Sequence, residues 1–258
     1  MSDQSSIKDA PVPTLKIVTW NILHPDHIKV YDLNTKYLDY SYRLPKIISK
    51  LREFDADIIC LQEADSSSVE DNFAELSNYN LVWQDDRVRK KKLQQWRNNL
   101  SDKKPHTLVC AILVKKNIEL INHRVGSRSL TANLKIGVFV IELTNVHLEA
   151  GHDTTDIHIK HLTKLAKTAD IICGDFNDYP DEPAIKYLED QGYLSAYSGG
   201  CPSATYVSKY ENGSRMIVDH IYYRLNLKLI DIEWTEFKGL SQDHPSDHIP
   251  IFCVLTLT

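Results

Sequence analysis

A chain of 258 residues with 42% apolar and 25% charged side chains has the make-up of a folded protein and excludes wholesale disorder. That length suffices for one large core or two small ones. The net charge of -5 excludes a uniformly basic coat, while leaving room for an acidic pocket beside a local basic patch.

Residues 1–13 are polar, carry Asp3 and Asp9, and lack an apolar run. They read as a disordered lead, not a signal peptide, and no later stretch has the roughly 20 apolar residues of a membrane span. Residues 15–20 predict a strand ending at Asn21. The polar, Tyr-rich sequence that follows, to about Tyr42, is long for a loop, which points to function. Leu44, Ile47, Ile48, Leu51 and Phe54 recur at helical spacing. Residues 57–61 predict a buried strand ending at Gln62 and Glu63, and 66–79 a helix with Val69, Phe73 and Leu76 on one face. Residues 107–114 and 137–146 are β-rich, 160–167 helical, 170–173 a strand, and 183–191 a short helix stopped by Gly192. Strands at 203–207, 216–223, 227–234 and 249–257 close the chain. No linker or repeat divides it, so residues 14–258 predict one domain of α/β or α+β class, with two sheets and helices outside. Cys60, Cys110, Cys173 and Cys253 each lie in an apolar run, where a reduced thiol behaves as a small buried hydrophobe. Without a CxxC pair, neither a disulfide frame nor a zinc site is expected, and the setting predicted is intracellular.

One layout recurs along the chain: an apolar strand delivers a carboxylate, an amide or a histidine near its end. TWN ends in Asn21, LQE in Glu63 and NVH in His147; GDFN brings Asp175 and Asn177, VDH brings Asp219, and SDH brings Asp247 and His248. Strand ends are where a rigid scaffold presents reactive groups. Each piece alone has a bland reading: a solvated turn for the Glu, a core histidine for His147, an Asx cap for Asp175 and Asn177. Together those readings need many coincidences in one order. The donors also match one task, because magnesium takes carboxylate and amide oxygens and keeps several waters. Asn21, Glu63 and Asp247 suit that ion, with manganese as a substitute, and the histidines suit phosphate. If 175–177 is extended, Asp175 and Asn177 point the same way, towards one water.

These segments, in this order, resemble the signature of the endonuclease/exonuclease/phosphatase superfamily, from TWN at 19–21 to SDH at 246–248. The resemblance implies a four-layer αββα sandwich of two mixed β-sheets flanked by helices. It implies Glu63 as principal magnesium ligand with Asn21 beside it, and Asp175 as the group that orients or deprotonates the attacking water, with Asn177 as its partner. It implies that His248 contacts the scissile phosphate, that Asp219 orients it, that Asp247 positions the metal or its water, and that His147 is a second phosphate contact. YRLPKIISKLREFDADIICLQEAD, CAILVKK, GDFNDYPDEPAIKYL and MIVDHIYY look most like the branch holding nocturnin, the Angel proteins and the carbon-catabolite-repressor deadenylases. His220 departs from that branch, which usually has Tyr there.

That branch implies an RNA 3′-exonuclease of deadenylase type. The alternatives are a phosphatase for an RNA end such as a 2′,3′-cyclic phosphate or for another small phosphate ester, a 5′-tyrosyl-DNA phosphodiesterase (HLE at 147–149 is similar to that branch), an apurinic-site endonuclease, and a non-catalytic RNA-binding adaptor. Arg87, Arg89, Lys90, Lys91, Lys92 and Arg97, interleaved with Trp83 and Trp96, make a candidate patch for single-stranded RNA; a solvated charged segment is the equal alternative. Tyr31, Tyr37, Tyr40 and Tyr42 are a second candidate substrate wall, and residues 198–206 a candidate pocket border. No protein partner is indicated, and a monomer is expected.

Overall fold

The structure is a computed structural model that describes residues 12–27, 36–85, 108–151, 153–207, 214–235 and 244–258. In chain order its elements are β1 (Thr14–Asn21), α1 (Tyr40–Phe54), β2 (Ile58–Asp65), α2 (Val69–Phe73), β3 (Tyr79–Trp83), β4 (Leu108–Lys115), β5 (Glu119–Val125), β6 (Ser129–Ile136) and β7 (Phe139–His147). There follow α3 (Thr155–Leu165), β8 (Ile171–Asp175), α4 (Pro183–Asp190), β9 (Leu194–Ser195), β10 (Tyr206–Val207), β11 (Arg215–Met216), β12 (Asp219–Tyr223), β13 (Leu227–Trp234) and β14 (Ile251–Leu257).

Two six-stranded sheets form, in the orders β13-β14-β1-β2-β4-β3 and β5-β6-β7-β8-β12-β9. Each is mixed: β1 runs parallel to β2 and β7 parallel to β8, while the neighbours β14, β4, β6 and β12 run antiparallel. The expected sandwich is therefore present, because period-two alternation sorts every central strand into two apolar faces. Leu15, Ile17, Ile58, Cys60 and Ile112 meet Leu130, Leu143, Ile171, Cys173 and Ile221 between the sheets. Val18, Trp20, Ile59 and Leu61 face the other way, onto Ile47, Ile48 and Leu51 of α1 and Val69 and Phe73 of α2. On the far side, Val146, Ile172 and Tyr222 pack on Leu162 of α3 and on Ala184, Ile185 and Leu188 of α4. Cys60, Cys110, Cys173 and Cys253 are buried free thiols in the middle layer, as their apolar settings predict.

Three expectations are corrected. The helix predicted over 66–79 is confined to Val69–Phe73, because Asp65 holds Ser67 and Ser68 in a side-chain-bonded turn before it and Tyr79 already pairs with Lys115 in a strand. Val69, Phe73 and Leu76 are all buried, so the face was right although the helix is short. The strands β3, β5 and β6 were not foreseen: β5 is exposed at most positions, which blurs its alternation. Three of the last four predicted strands differ in extent: 203–207 is a strand only at Tyr206–Val207, 216–223 divides into β11 and β12, and the closing strand begins at Ile251.

Candidate active site

Between the sheets the middle layer changes from apolar to polar at one end. On β1 the inward series Leu15, Ile17, Thr19 ends in Asn21; on β7 Ile141, Leu143, Asn145 ends in His147; on β8 Ile171, Cys173 ends in Asp175. Asp219 begins β12 on the same face. Ladder register sets these side chains side by side: His147 pairs with Asp175, and Asp175 with Asp219. Glu63 needs a further device, since alternation from inward Gln62 would turn it outward. A bulge between Leu61 and Ala64, with Glu63 at φ 62°, inserts the extra residue and re-aims it. A left-handed backbone at a non-glycine residue costs about 1 kcal/mol or more, and such strain collects at functional sites.

Asp175 is the hub. Its Oδ2 accepts from Asn21 Nδ2 at 3.0 Å and lies 3.6 Å from His147 Nε2 and 3.8 Å from His248 Nε2. Its Oδ1 accepts the Asn177 backbone N–H at 3.0 Å. The condition of an extended 175–177 is not met: Asn177 sits at φ 52°, so it meets Asp175 through its N–H while its amide donates to Leu148 O. Asn21 Oδ1 accepts from Leu23 N–H, so this amide bridges a backbone turn and Asp175. Glu63 Oε2 accepts the His24 N–H and lies 2.8 Å from His27 Nδ1, and its Oε1 is 3.9 Å from His147 Nε2. Of the predicted set, Asn21, Glu63, His147, Asp175, Asn177, Asp219 and His248 thus form one connected group.

Asp247 is buried and adjoins it; Ser246 Oγ ties the segment down by donating to Asn21 O at 2.6 Å. His248 is anchored from several sides: Trp20 Nε1 donates to its carbonyl, its Nδ1 lies 2.8 Å from Asp219 Oδ2, and Tyr206 stacks on its ring with centroids 4.6 Å apart. Thr205 Oγ1 accepts the N–H groups of Val218 and Asp219, which ties the residue before β10 to the start of β12. Arg87, Arg89, Lys90, Lys91, Lys92, Trp96 and Arg97 lie outside the described residues.

The charges follow from burial and neighbours. Burial alone would lower the His248 pKa, but the Asp219 and Asp175 carboxylates outweigh it and raise it to about 10, so the ring is an imidazolium. Burial pushes Asp175 up to about 7 against the pull of His248. His147 goes the other way: burial lowers it to about 3, so it offers an N–H and no charge at neutral pH. Burial raises Glu63, yet His27, His147 and the His24 N–H together hold it below the carboxylate range.

This donor set fits a hard divalent cation. Asp175 and Asp219 present carboxylate oxygens within 4.8 Å of one another, Glu63 adds a buried ionised carboxylate, and Asp219 Oδ1 is buried with no hydrogen-bond partner among the described residues.

Sequence reasoning missed three supports. Arg43 of α1 is buried and donates to Ile22 O, Leu23 O and Pro245 O, clamping the loop after Asn21 to the SDH segment. Gln62 and Asn145 bond across the sheets at 2.7 Å beneath the site. His24 and His27 flank Glu63. Only the two histidines left a sequence signal, HPDH, a turn within the loop already singled out as long.

A family model for the endonuclease/exonuclease/phosphatase family matches residues 18–248. No curated protein sequence matches the chain. Among solved structures, ANGEL2, a 2′,3′-cyclic phosphatase in complex with adenosine-2′,3′-vanadate, has a TM-score of 0.73 at 19% identity, over 95% of this chain and 96% of that one. The human Nocturnin catalytic domain with bound sulfate gives 0.69 at 19% identity, over 96% of each. TDP2 of D. rerio with a single strand DNA product gives 0.68 at 16% identity, over 94% of this chain and 99% of that one. At these identities the structures show a shared fold; the family match, over most of the chain, shows the lineage. The chain belongs to the endonuclease/exonuclease/phosphatase family, whose members are metal-dependent hydrolases acting on phosphoester bonds.

Proposed function

We propose that the chain is a magnesium-dependent phosphodiesterase that removes nucleotides from the 3′ end of single-stranded RNA by in-line attack of water. The observation that carries the reading is the convergence on Asp175 Oδ2 of Asn21, His147 and His248, next to the buried Glu63.

In this reading Asp175 orients the attacking water and takes its proton, with Asn21 and the Asn177 N–H fixing the two carboxylate oxygens. The His248 imidazolium, held by Asp219, stabilises charge on the phosphate oxygens in the transition state. His147 donates a neutral hydrogen bond from Nε2. Glu63, with Asp247 nearby, would hold the cation, which supplies Lewis-acid polarisation of the phosphate when bound. Asn21 acts chiefly on Asp175, given the direction of its amide. The basic, Trp-containing segment from Arg87 to Arg97 offers charge for the RNA backbone and rings for base stacking.

A second reading is hydrolysis of a 2′,3′-cyclic phosphate at an RNA end, favoured by the likeness to ANGEL2. A labelled panel separates them: poly(A)-tailed and mixed-sequence RNA with a 3′-hydroxyl, the same RNA with a cyclic end, single-stranded DNA and 5′-tyrosyl DNA, with Glu63→Ala as control. A ladder of shortened RNA releasing 5′-nucleotides supports the exonuclease; opening of the cyclic end without shortening supports the second reading. Normal magnesium-dependent turnover by Glu63→Ala overturns both.

A further inference from the structure

His24, Pro25, Asp26 and His27 form a tight turn, in which the His27 N–H donates to His24 O at 3.0 Å and Pro25 occupies the second position that its fixed φ suits. The Asp26 N–H donates to His24 Nδ1 at 3.1 Å, which fixes the first ring. The turn presents two groups to one oxygen: the His24 N–H and the His27 Nδ1 each lie 2.8 Å from Glu63 Oε2. The His27 side chain is 42% exposed and that of Glu63 9% exposed, so the pair sits at the solvent mouth of the buried site.

We propose that His27 and Glu63 are joint ligands of the divalent cation, and that the imidazole raises the site's affinity for first-row transition ions while leaving that for magnesium nearly unchanged. The inference rests on the reading that Glu63 holds the cation. Two ligand atoms about 2.1 Å from one octahedral ion and at right angles are about 3 Å apart, close to the observed separation. The His24 N–H bonded to the same carboxylate orients it, as groups behind a metal ligand commonly do. Nitrogen from imidazole raises affinity for transition ions, whereas magnesium favours oxygen ligands and water.

The test uses Mn2+ as probe on the full chain, by electron paramagnetic resonance with Mg2+ as competitor, in the wild type, His27→Ala, His27→Gln and Glu63→Gln. The wild type is expected to show nitrogen coupling to bound Mn2+ that both His27 variants lose. Removing the imidazole is expected to weaken Mn2+ binding about tenfold or more. Mg2+ binding is expected to stay within about twofold. Wild-type Mn2+ without nitrogen coupling, or coupling retained in a folded His27 variant, overturns the inference and leaves Glu63 as a cation ligand. Wild-type Mn2+ binding by Glu63→Gln overturns the underlying reading as well.

Discussion

Asp219 Oδ2 lies 2.8 Å from His248 Nδ1, and the two face each other where β12 begins and the SDH segment ends. Burial opposes a charged His248, but Asp219 and Asp175 prevail and raise its pKa to about 10 from an ordinary 6.5. A raised folded pKa contributes stability that is fully present below 6.5 and lost as pH climbs through about 10. Asp219→Asn is expected to return the ring towards neutral titration, visible by nuclear magnetic resonance. Its stability deficit should be largest below pH 6.5 and narrow towards pH 10, as urea melts across that range would show.

Arg43→Met tests the clamp. The variant leaves the carbonyls of Ile22, Leu23 and Pro245 without their donor, and each buried unpaired carbonyl costs about 1–3 kcal/mol. A loss of about 3 kcal/mol or more in chemical denaturation is expected. Activity should fall too, since the clamp joins the segments carrying Asn21 and His248.

The bridge between the sheets predicts an order of effects. Asn145 Nδ2 donates to Leu61 O and Ala111 O, whereas Gln62 Oε1 is buried with no partner among the described residues. Asn145→Leu orphans two carbonyls and should cost about 2–4 kcal/mol. Gln62→Met removes an unsatisfied oxygen along with its amide donor, so it should cost less. Denaturation midpoints of the two variants, compared at equal m-value, check the order.

Gly174→Ala should prevent folding or lower the melting temperature sharply. At Gly174, φ is 138°, and a Cβ there would run into the backbone of Val146 on the adjoining strand. The cost is expected to exceed about 3 kcal/mol, read by thermal unfolding of whatever soluble protein is recovered. The glycine of GDFN thus serves the close approach that sets Asp175 beside His147.

Most of the site was legible because alternation carries it. A strand that places Ile171 and Cys173 inward must place Asp175 inward too, and the same holds for Asn21 and His147. Glu63 lies outside that rule; the bulge that turns it is a property of backbone pairing with β4, which the apolar run at 58–61 does not encode. β5 was invisible because an edge strand needs no buried face. Arg43 and His27 acquire meaning from partners that only folding brings near: Pro245 is 202 positions from Arg43, and Glu63 is 36 from His27. The bend at Asn177 shows a similar limit, since a left-handed Asn and an extended one read alike in GDFN.

Single-turnover cleavage of 5′-labelled single-stranded RNA by Asp175→Asn is the most direct test of Asp175 as the group that receives the water's proton. The rate is expected to fall about 10³-fold with unchanged folding and RNA binding. A variant that cleaves within a few-fold of the wild-type rate would contradict that role.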